Sequence, residues 1–216
     1  MNKNTDFILL DAGFGICGII EDYSELHWVR RYFKCGEFSL TLPPGTKELA
    51  AGARYIYNPY NAETAVIEEL KITSDPAGGR SLTVSGRMLE SLLFLRTIYG
   101  VANITGNAEA AARQLVQSHA MTGERAIPGL VLGEIIGHPE EVYAQYSEIS
   151  LGEALYAMLG SVGLSPRLSY DFDSSALVFT VATGLDRTQN QTENSWAIFS
   201  SEFENVRSVL YHYSEL

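Results

Sequence analysis

Apolar and polar positions alternate in short runs over the first 85 residues, and turn residues such as glycine, proline and asparagine separate the runs. Alternation with a period of two is typical of a β-strand that has one buried face and one face in water. Seven such runs follow one another closely, from Phe7–Leu10 to Ser81–Ser85. Several short strands with turn signals between them predict a small antiparallel β-barrel or sandwich.

Residues 25 to 43 form the most informative stretch, which predicts two strands with a tight corner at Cys35-Gly36. The second strand has one apolar face, formed by Phe38, Leu40 and Leu42. The first strand is apolar on both faces, with Leu26, Trp28 and Tyr32 on one side and Val29 and Phe33 on the other. We expect Trp28 and Tyr32 to face the core. We expect Val29 and Phe33 to be covered by a neighbouring domain or subunit.

From residue 86 the apolar spacing changes to the period of a helix. A short apolar helix is predicted over residues 88 to 95. A second helix starts at the cap residue Asn107, and its inner face holds Ala108, Ala111, Ala112, Leu115 and Val116. A third helix starts at a capping box of Ser150 and Glu153 and ends at Gly163. Residues 121 to 149, which glycine and proline interrupt, show no regular pattern.

Strand patterns return after residue 165. They predict four strands, Pro166–Tyr170, Leu177–Thr183, Trp196–Ser200 and Val206–Tyr213. The order of strands, then helices, then strands predicts an α+β fold that is mainly antiparallel β. We divide the chain into a first β domain at residues 1–100, a helical insert at 101–164 and a second β region at 165–216.

Charge and apolar run lengths disfavour two classes of function. The 216 residues carry a formal net charge of −11, whereas nucleic-acid binding depends on basic side chains that neutralise phosphates. No apolar stretch reaches the roughly 20 residues that span a bilayer, so no membrane insertion is predicted. The amino-terminal apolar run is too short for a signal peptide, and we expect synthesis in a cytoplasm. Cys17 and Cys35 are expected to be reduced thiols, with a cross-strand disulfide as the alternative.

No pattern of residues typical of catalysis or metal binding is found. The four histidines are far apart in sequence, and no cysteine pair has metal-ligand spacing. Asp171, Asp173 and Ser175 are interpreted as a hairpin turn. Neighbouring glutamates such as Glu68 and Glu69 could supply the paired carboxylates of a glycosidase, but glutamate is mostly a surface residue. We therefore predict no catalytic residue, no cofactor and no metal, and that the protein is not an enzyme.

A set of positions along the chain carries a family resemblance. They are Trp28, Tyr32, Gly36, Phe38 and Arg87 in the amino-terminal half, and Asp186, Arg187, Thr188, Phe199 and Asn205 near the carboxyl end. In their order and spacing these positions resemble the minor tail proteins of long-tailed phages and prophages that form the tail-tip hub. The resemblance extends over nearly the whole chain and is weakest over residues 100 to 149.

This resemblance implies a structural protein of the virion tail, made in the cytoplasm of the bacterial host. The fold would be similar to the hub cylinder of contractile-tail baseplates, with two small β domains per subunit in a homotrimeric ring. Family members generally continue beyond the segment that ends at Asn205, so the second β region would be incomplete, either as a truncated domain or as a compact variant of the family. Partners would be the distal tail or tube protein, the tape measure protein and receptor-binding proteins. DNA would pass through the channel, repelled by an acidic lumen.

Two other functions remain open from the sequence. A cell-wall (peptidoglycan) hydrolase would show a deep cleft that holds two acidic side chains with shifted pKa values. A carbohydrate- or receptor-binding module would group exposed aromatic side chains such as Tyr55, Tyr57 and Tyr60 on one face.

Overall fold

The computed structural model describes residues 6–74, 79–206 and 208. Contacts divide the chain into two units, Met1–Thr183 and Gly184–Leu216, and each unit is described by itself. The three-part division predicted from the sequence, with boundaries after residues 100 and 164, stays a prediction.

Strands dominate the part of the chain that the structure describes. The strands are β1 (Phe7–Leu10), β2 (Ile16–Ile20), β3 (Glu25–Val29), β4 (Glu37–Leu42), β5 (Tyr55–Asn58), β6 (Glu63–Ser74), β7 (Arg80–Met88), β8 (Thr97–Asn107), β9 (Leu130–Leu132), β10 (Glu141–Ser150), β11 (Leu164–Asp171) and β12 (Ala176–Thr183). The helices are α1 (Lys47–Gly52), α2 (Ser91–Phe94), α3 (Ala108–Ala120) and α4 (Leu151–Gly160), and a 3₁₀ turn covers Pro44–Thr46.

The seven strands predicted for the first 85 residues form a single antiparallel sheet, in the order β2-β1-β5-β6-β7-β4-β3. This confirms the predicted α+β fold that is mainly antiparallel β. Among the described strands, the hydrogen-bonded ladder stays open between β2 and β3. The sheet nevertheless curls. The curl is evident from the distance of 5.6 Å between the ring of Phe7 on β1 and the ring of Trp28 on β3.

The seven-stranded sheet separates two hydrophobic cores. One core is formed by side chains from several strands of the sheet, including Phe7 and Leu9 of β1, Phe38 and Leu40 of β4, and Ile56 of β5. The other face contributes Leu10, Tyr55 and Val66 to a larger core that the helices share. Because successive side chains of a strand point to opposite faces, β1, β5 and residues 65 to 67 of β6 are apolar on both faces, as strands covered on both sides must be.

A second layer consists of a ribbon, a small sheet and two helices. β8 and β10 pair antiparallel as a two-stranded ribbon, while β11 pairs antiparallel with β12, and β12 parallel with β9. The predicted caps of α3 and α4 are present. Asn107 Oδ1 accepts a hydrogen bond from the Ala110 amide at 2.9 Å, and Ser150 Oγ accepts one from the Glu153 amide at 3.1 Å. Helix α4 ends at Gly160, three residues before the predicted end at Gly163.

Two strand predictions were wrong within the described residues. The strand predicted to reach Phe33 ends at Val29, and a loop over residues 30 to 36 replaces the tight corner. The physical reason is long-range, because the Tyr32 hydroxyl is bound to carbonyl groups of the second layer. Trp196–Ser200 is not a strand, and its side chains find local partners instead. The predicted strand Val206–Tyr213 lies outside the described residues except for positions 206 and 208.

Residues 184–206 have neither helix nor strand and are held by polar side chains. Gln191 is the centre of this local network. Its side-chain amide donates to Asn194 O at 2.9 Å and to Thr188 O at 3.1 Å, and its Oε1 accepts from the Asn194 amide at 2.7 Å. Its backbone carbonyl accepts a hydrogen bond from the Trp196 indole at 3.1 Å. The segment is therefore ordered by hydrogen bonds rather than by burial of its apolar side chains.

Candidate assembly surfaces and a charged cleft

The predicted family position Trp28 anchors β3 to the curl of the sheet. Its ring lies 5.6 Å from the rings of both Phe7 and Phe38. Its indole nitrogen donates to Glu63 Oε2 at 2.7 Å, so the polar end of the half-buried side chain is satisfied. Phe38 itself is a buried core residue. The expected core-facing orientation of Trp28 agrees with these contacts.

Tyr32 connects the loop after β3 to the second layer. Its hydroxyl lies 2.7 Å from Gly163 O and 3.0 Å from Ala182 O. Its backbone carbonyl accepts a hydrogen bond from Ser165 Oγ. The ring also meets Phe33 edge to face at 4.6 Å. Tyr32 is thus a link between layers, not the core-facing strand residue that the sequence predicted.

The two residues expected to be covered differ in exposure. Val29 is half-buried, whereas Phe33 is 54% exposed and contacts Tyr32 and the region of Gly160. The apolar surface of Phe33 therefore remains available to another molecule.

Gly36 and Arg87 fix the approach of β4 to β7. A methyl group on Gly36 would lie 2.3 Å from Val29 O and 2.8 Å from Met88 Cγ, so no other residue fits. Arg87 forms a bidentate pair with Glu68, with Nη2 to Oε1 at 2.7 Å and Nε to Oε2 at 2.9 Å. These hydrogen bonds raise the pKa of the guanidinium further.

The carboxy-terminal family positions shape local turns. Asp186 Oδ1 accepts from the Thr188 amide at 2.8 Å, and the Arg187 guanidinium donates to Ser195 O at 3.3 Å. Asn205 closes another turn, since its side chain donates to Ile198 O at 2.8 Å and accepts from the Ser200 amide at 2.9 Å. Phe199, the remaining predicted position, is 77% exposed.

Exposed large apolar side chains lie in several separate segments. Within residues 184–206 they are Leu185, Trp196, Ile198, Phe199 and Phe203, each at least half exposed. On β2 they are Ile16 and Ile19, at 64% and 53% exposure. The ribbon of β8 and β10 adds Tyr99, Val101 and Tyr143. A contiguous apolar patch marks a surface that meets other molecules, whereas single exposed apolar side chains are common on any protein.

In the loop after β9, two isoleucine side chains are exposed, and the backbone of the loop is fixed by hydrogen bonds to a buried carboxylate. Ile135 and Ile136 are 72% and 59% exposed, while the carboxylate of Glu109 on α3 is buried below them. It accepts amide hydrogen bonds from Ile136 and Gly137 at 2.8 Å and from His138 at 3.1 Å. Burial works to raise the pKa of Glu109, but these three hydrogen bonds, together with the electrostatic effect of the neighbouring His138, outweigh it and lower the pKa.

A cleft of about 290 Å³ opens within the unit Met1–Thr183, beside the loop after β3. Glu63 and Glu90 are both in its wall. Glu63 pairs with Arg30 in addition to its bond from Trp28. Glu90, only 4% exposed, lies 3.7 Å from Arg167. Burial raises the pKa of Glu90.

The sequence did not identify the cleft residues Arg30, Glu63, Glu90 and Arg167. One signal was available, because Glu90 interrupts the apolar run from Met88 to Leu93, and a glutamate there must be either paired or neutral. The other three residues come from distant strands and loops, and no local pattern marks them.

The aromatic face expected of a receptor- or carbohydrate-binding module does not form. Tyr55 is buried against Phe14, with ring centroids 4.8 Å apart. Tyr57 is half-buried and meets Phe172. Tyr60 alone of the three tyrosines is strongly exposed, at 84%.

No group of three or more histidine, cysteine, aspartate or glutamate side chains is arranged to hold a metal ion in the part of the chain that the structure describes. None of its helices has the length and apolar character needed to cross a membrane.

Comparison with known families identifies the class of protein. A sequence profile of siphovirus proteins matches residues 7–216, almost the whole chain. The chain therefore belongs to a family of siphovirus proteins, and siphoviruses are long-tailed phages, which confirms the predicted resemblance. More narrowly, it belongs to the Siphovirus ReqiPepy6 Gp37-like protein family. Membership supports the predicted structural role in the tail.

Solved structures of tail proteins show partial similarity. The tail protein from Neisseria meningitidis MC58 has 19% identity and a TM-score of 0.47, over 82% of this chain and 50% of that chain. Prophage tail protein gp18 from Listeria monocytogenes EGD-e has 12% identity and a TM-score of 0.45, over 81% and 50%.

A third similar structure is the E. coli c3393 protein, a component of the type VI secretion system with structural similarity to T4 tail proteins gp27 and gp5. It has 15% identity and a TM-score of 0.45, over 72% of this chain and 44% of that chain. The chain thus spans about half the length of these solved proteins or less. Comparison with curated proteins finds no match.

Proposed function

We propose that the chain is a component of the tail-tip hub and acts by assembly. In this proposal copies of the chain form a ring, a homotrimer, that continues the tail tube. The ring holds distal tail, tape measure and receptor-binding proteins. Family membership over residues 7–216 is the first support.

The observation that carries the proposal is the exposure of the apolar side chains in residues 184–206. Trp196, Phe199 and Phe203 are 53%, 77% and 64% exposed, although hydrogen bonds hold the backbone around them in a defined shape. Large aromatic side chains supply much of the binding energy where proteins meet. A preformed segment that leaves them in water is suited to a partner protein.

The strand β2 offers a second contact. Within the described part of the chain it pairs with β1 and with no other strand, and its outward side chains Ile16 and Ile19 are exposed. Unpaired edges that are apolar tend to join a strand of another chain. The net charge of −11 supports a channel that DNA crosses without binding, because like charges repel.

The proposal includes no catalytic step. The cleft with Glu63 and Glu90 is where a hydrolase would have its carboxylates, but each already has an arginine partner. A general acid must also reach its substrate, and Glu90 is 4% exposed.

Immunogold electron microscopy of virions tests the proposal directly. An antibody raised against the purified chain should label the end of the tail that is farthest from the head. Antibody absorbed with the purified chain is the control and should give no label. Gold particles on the head, or virions without any label, would contradict a role in the tail tip.

A further inference from the structure

Strand β8 has a free backbone edge. Among the described strands it pairs with β10 alone. The Ala108 amide donates to Glu140 O at 2.8 Å, and the register of the ribbon continues from there to Val101 without a shift. Bonded and non-bonded positions alternate in an antiparallel ladder, so every second residue of β8, counted from Ala108, bonds to β10. The amide and carbonyl groups of Val101, Asn103 and Thr105 therefore point away from β10.

A groove of about 390 Å³ runs along this free edge, within the unit Met1–Thr183. Residues 101–105 of β8 line one side, and α3 lines the other with Ala110, Gln114 and Ser118, which are four residues apart and share one face of the helix. The part of α3 that lines the groove ends at His119. At 1.5 Å per residue it is about 13 Å long, the length of about four residues of an extended strand.

The groove and its strand carry no formal charge. The lining residues include no lysine, arginine, aspartate or glutamate. Strand β8 has neither a charged residue nor a proline, which are common means of keeping an edge strand from pairing. The other strand of the ribbon, β10, has Glu141 and Glu148. A charged group that entered the groove would lose water without gaining an ion pair, so the lining selects an uncharged segment.

The shape of the groove selects a single strand. Backbone groups that alternate along an edge are matched by an extended peptide, which joins the sheet as one more strand. Helix α3 borders the groove opposite β8, so a strand that already has a neighbour on its far side would meet the helix. The strands β2 and β8 of a second copy each have such a neighbour. A linker or terminal segment outside any sheet fits the space.

We propose that the groove between β8 and α3 binds an extended, uncharged segment of another protein as an added strand. The backbone of the segment bonds to Val101, Asn103 and Thr105. Ala111 and Leu115 also line the groove, and they favour an apolar side chain at alternate positions of the segment. The inference goes beyond the proposed ring of copies and does not depend on it, because the site lies within a single chain. Its failure would leave the proposed role in the tail unchanged.

Titration of the ¹⁵N-labelled chain with a short peptide, followed by NMR, tests the site. The probe is acetyl-Ser-Val-Thr-Val-Ser-amide, because backbone hydrogen bonds supply affinity in this mode of binding. Saturable shifts are expected, largest at the amides of Val101, Asn103 and Thr105. Two control peptides are N-methylated, one at both valines and the other at the threonine and the second serine. Only one of these alternate sets of amides faces β8, so one control should bind at least tenfold more weakly than the other.

Four variants connect the signal to the groove. Thr105→Pro removes an amide that does not bond to β10, so the ladder is kept, and it should weaken binding at least tenfold. Thr105→Val keeps the amide and should change affinity less than twofold. Gln114→Trp fills the groove from an exposed position of α3 and should also weaken binding tenfold. Gln117→Trp, exposed on the same helix but outside the groove, is the matched control.

Three results would overturn the proposal. They are the absence of saturable shifts, equal affinity of the two methylated peptides, and wild-type affinity in both T105P and Q114W. Shifts of the same amides that depend on the concentration of the chain, without peptide, would assign the groove to a second copy and would also contradict the proposal.

Discussion

At position 36 the backbone leaves space for a hydrogen atom but not for a methyl group. A Cβ there would lie 2.3 Å from Val29 O, and the Gly36 carbonyl also accepts from the Met88 amide at 3.0 Å. This close approach joins the start of β4 to β7. A glycine in this place is therefore a packing requirement and not a matter of chain flexibility.

We predict that Gly36→Ala destabilises the fold by about 1–3 kcal/mol, the usual cost of forcing extra volume into a packed site. Gly45→Ala is the matched control, because nothing lies within 4 Å of its added methyl group. Urea denaturation measures both changes. Equal stability of the two variants would show that the backbone at position 36 relaxes freely.

Glu109 makes stability depend on pH in the acid range. Its pKa is lowered in the folded protein, so the ionised carboxylate stabilises the fold. This contribution is complete above the ordinary pKa near 4.5 and is lost as pH falls towards the lower pKa of the folded state. Glu109→Gln should cost about 2 kcal/mol at pH 7, since the amide group cannot accept all three hydrogen bonds.

The pH dependence of the difference between wild type and E109Q distinguishes this account from a general loss of packing. The difference in the free energy of unfolding should shrink below pH 4.5. Glu124→Gln, on an exposed residue, should change stability little at any pH. A difference between wild type and E109Q that stays constant down to pH 3 would contradict the role of the charge.

The two cysteines are free thiols that differ in exposure. Cys17 is exposed, while burial raises the pKa of the Cys35 thiol to about 12, with the nearby Glu90 adding to the effect. The thiolate is the reactive form. At pH 8 we therefore expect one fast thiol per folded chain in a dithionitrobenzoate assay, and a second only after unfolding. Cys17→Ser should abolish the fast phase, and a fast phase of two thiols would be the contrary result.

At the scale of elements, short-range chemistry decides where the helices α3 and α4 begin. Asn107 and Ser150 each accept from an amide three residues later, which is a local event that sequence alone predicts. Asn107 has a further partner, because its side-chain nitrogen donates to His138 O at 2.6 Å. The two caps thus differ in how far their influence extends.

We predict that Ser150→Ala costs about 1 kcal/mol, the usual value of a helix cap. Asn107→Ala should cost more, because it also removes the bond to the loop before β10. Ser150→Thr should restore most of the loss at position 150. Equal costs for N107A and S150A in urea denaturation would mean that the His138 contact contributes nothing.

The ribbon of β8 and β10 shows where pattern reading fails. Gly100 and Gly106 lie inside β8 with positive φ angles of 72° and 113°, and glycine normally signals a turn. The outward residues of the ribbon are mostly uncharged, as in the pair Asn103 and Gln145, which hydrogen-bond at 2.7 Å. Neither signal identifies a strand. The ribbon follows from pairing between residues that are distant in sequence, from Asn107 with Glu141 to Thr97 with Ser150, and a single sequence does not reveal such pairing.

The residues Trp196–Ser200 are a second segment whose sequence pattern does not decide its structure. Its alternation predicts a strand, but a strand also needs a neighbouring strand to pair with, and no described strand pairs with it. Its backbone is held by a single contact of another kind, from the Ala197 amide to Arg187 O at 3.0 Å, and by the side chain of Asn205. The prediction was wrong because alternation reports only which side chains are apolar. It does not report whether a neighbouring strand exists.

At the scale of the whole molecule, the sequence predicted the class of protein better than its sites. The ordered family positions were sufficient for the tail resemblance, which the family match over residues 7–216 confirms. The cleft was not predicted, since it combines residues as distant as Arg30 and Arg167. Long-range contacts of this kind depend on the finished fold.

Exposed apolar side chains lie in several segments of the molecule. They include the aromatic side chains of residues 184–206, the apolar outer side of β2 and the isoleucines of the loop after β9. Their distribution over separate segments suits a subunit with more than one neighbour. A ring requires two different contact surfaces on each copy.

The mass of the purified chain in solution, measured by light scattering across a wide range of concentrations, tests the assembly claim most directly. The account predicts a trimer, with three times the 23.8 kDa of one chain, that forms as concentration rises. Phe199→Asp should shift this equilibrium towards monomer. A wild-type chain that remains monomeric at the highest concentration would contradict assembly through its own surfaces.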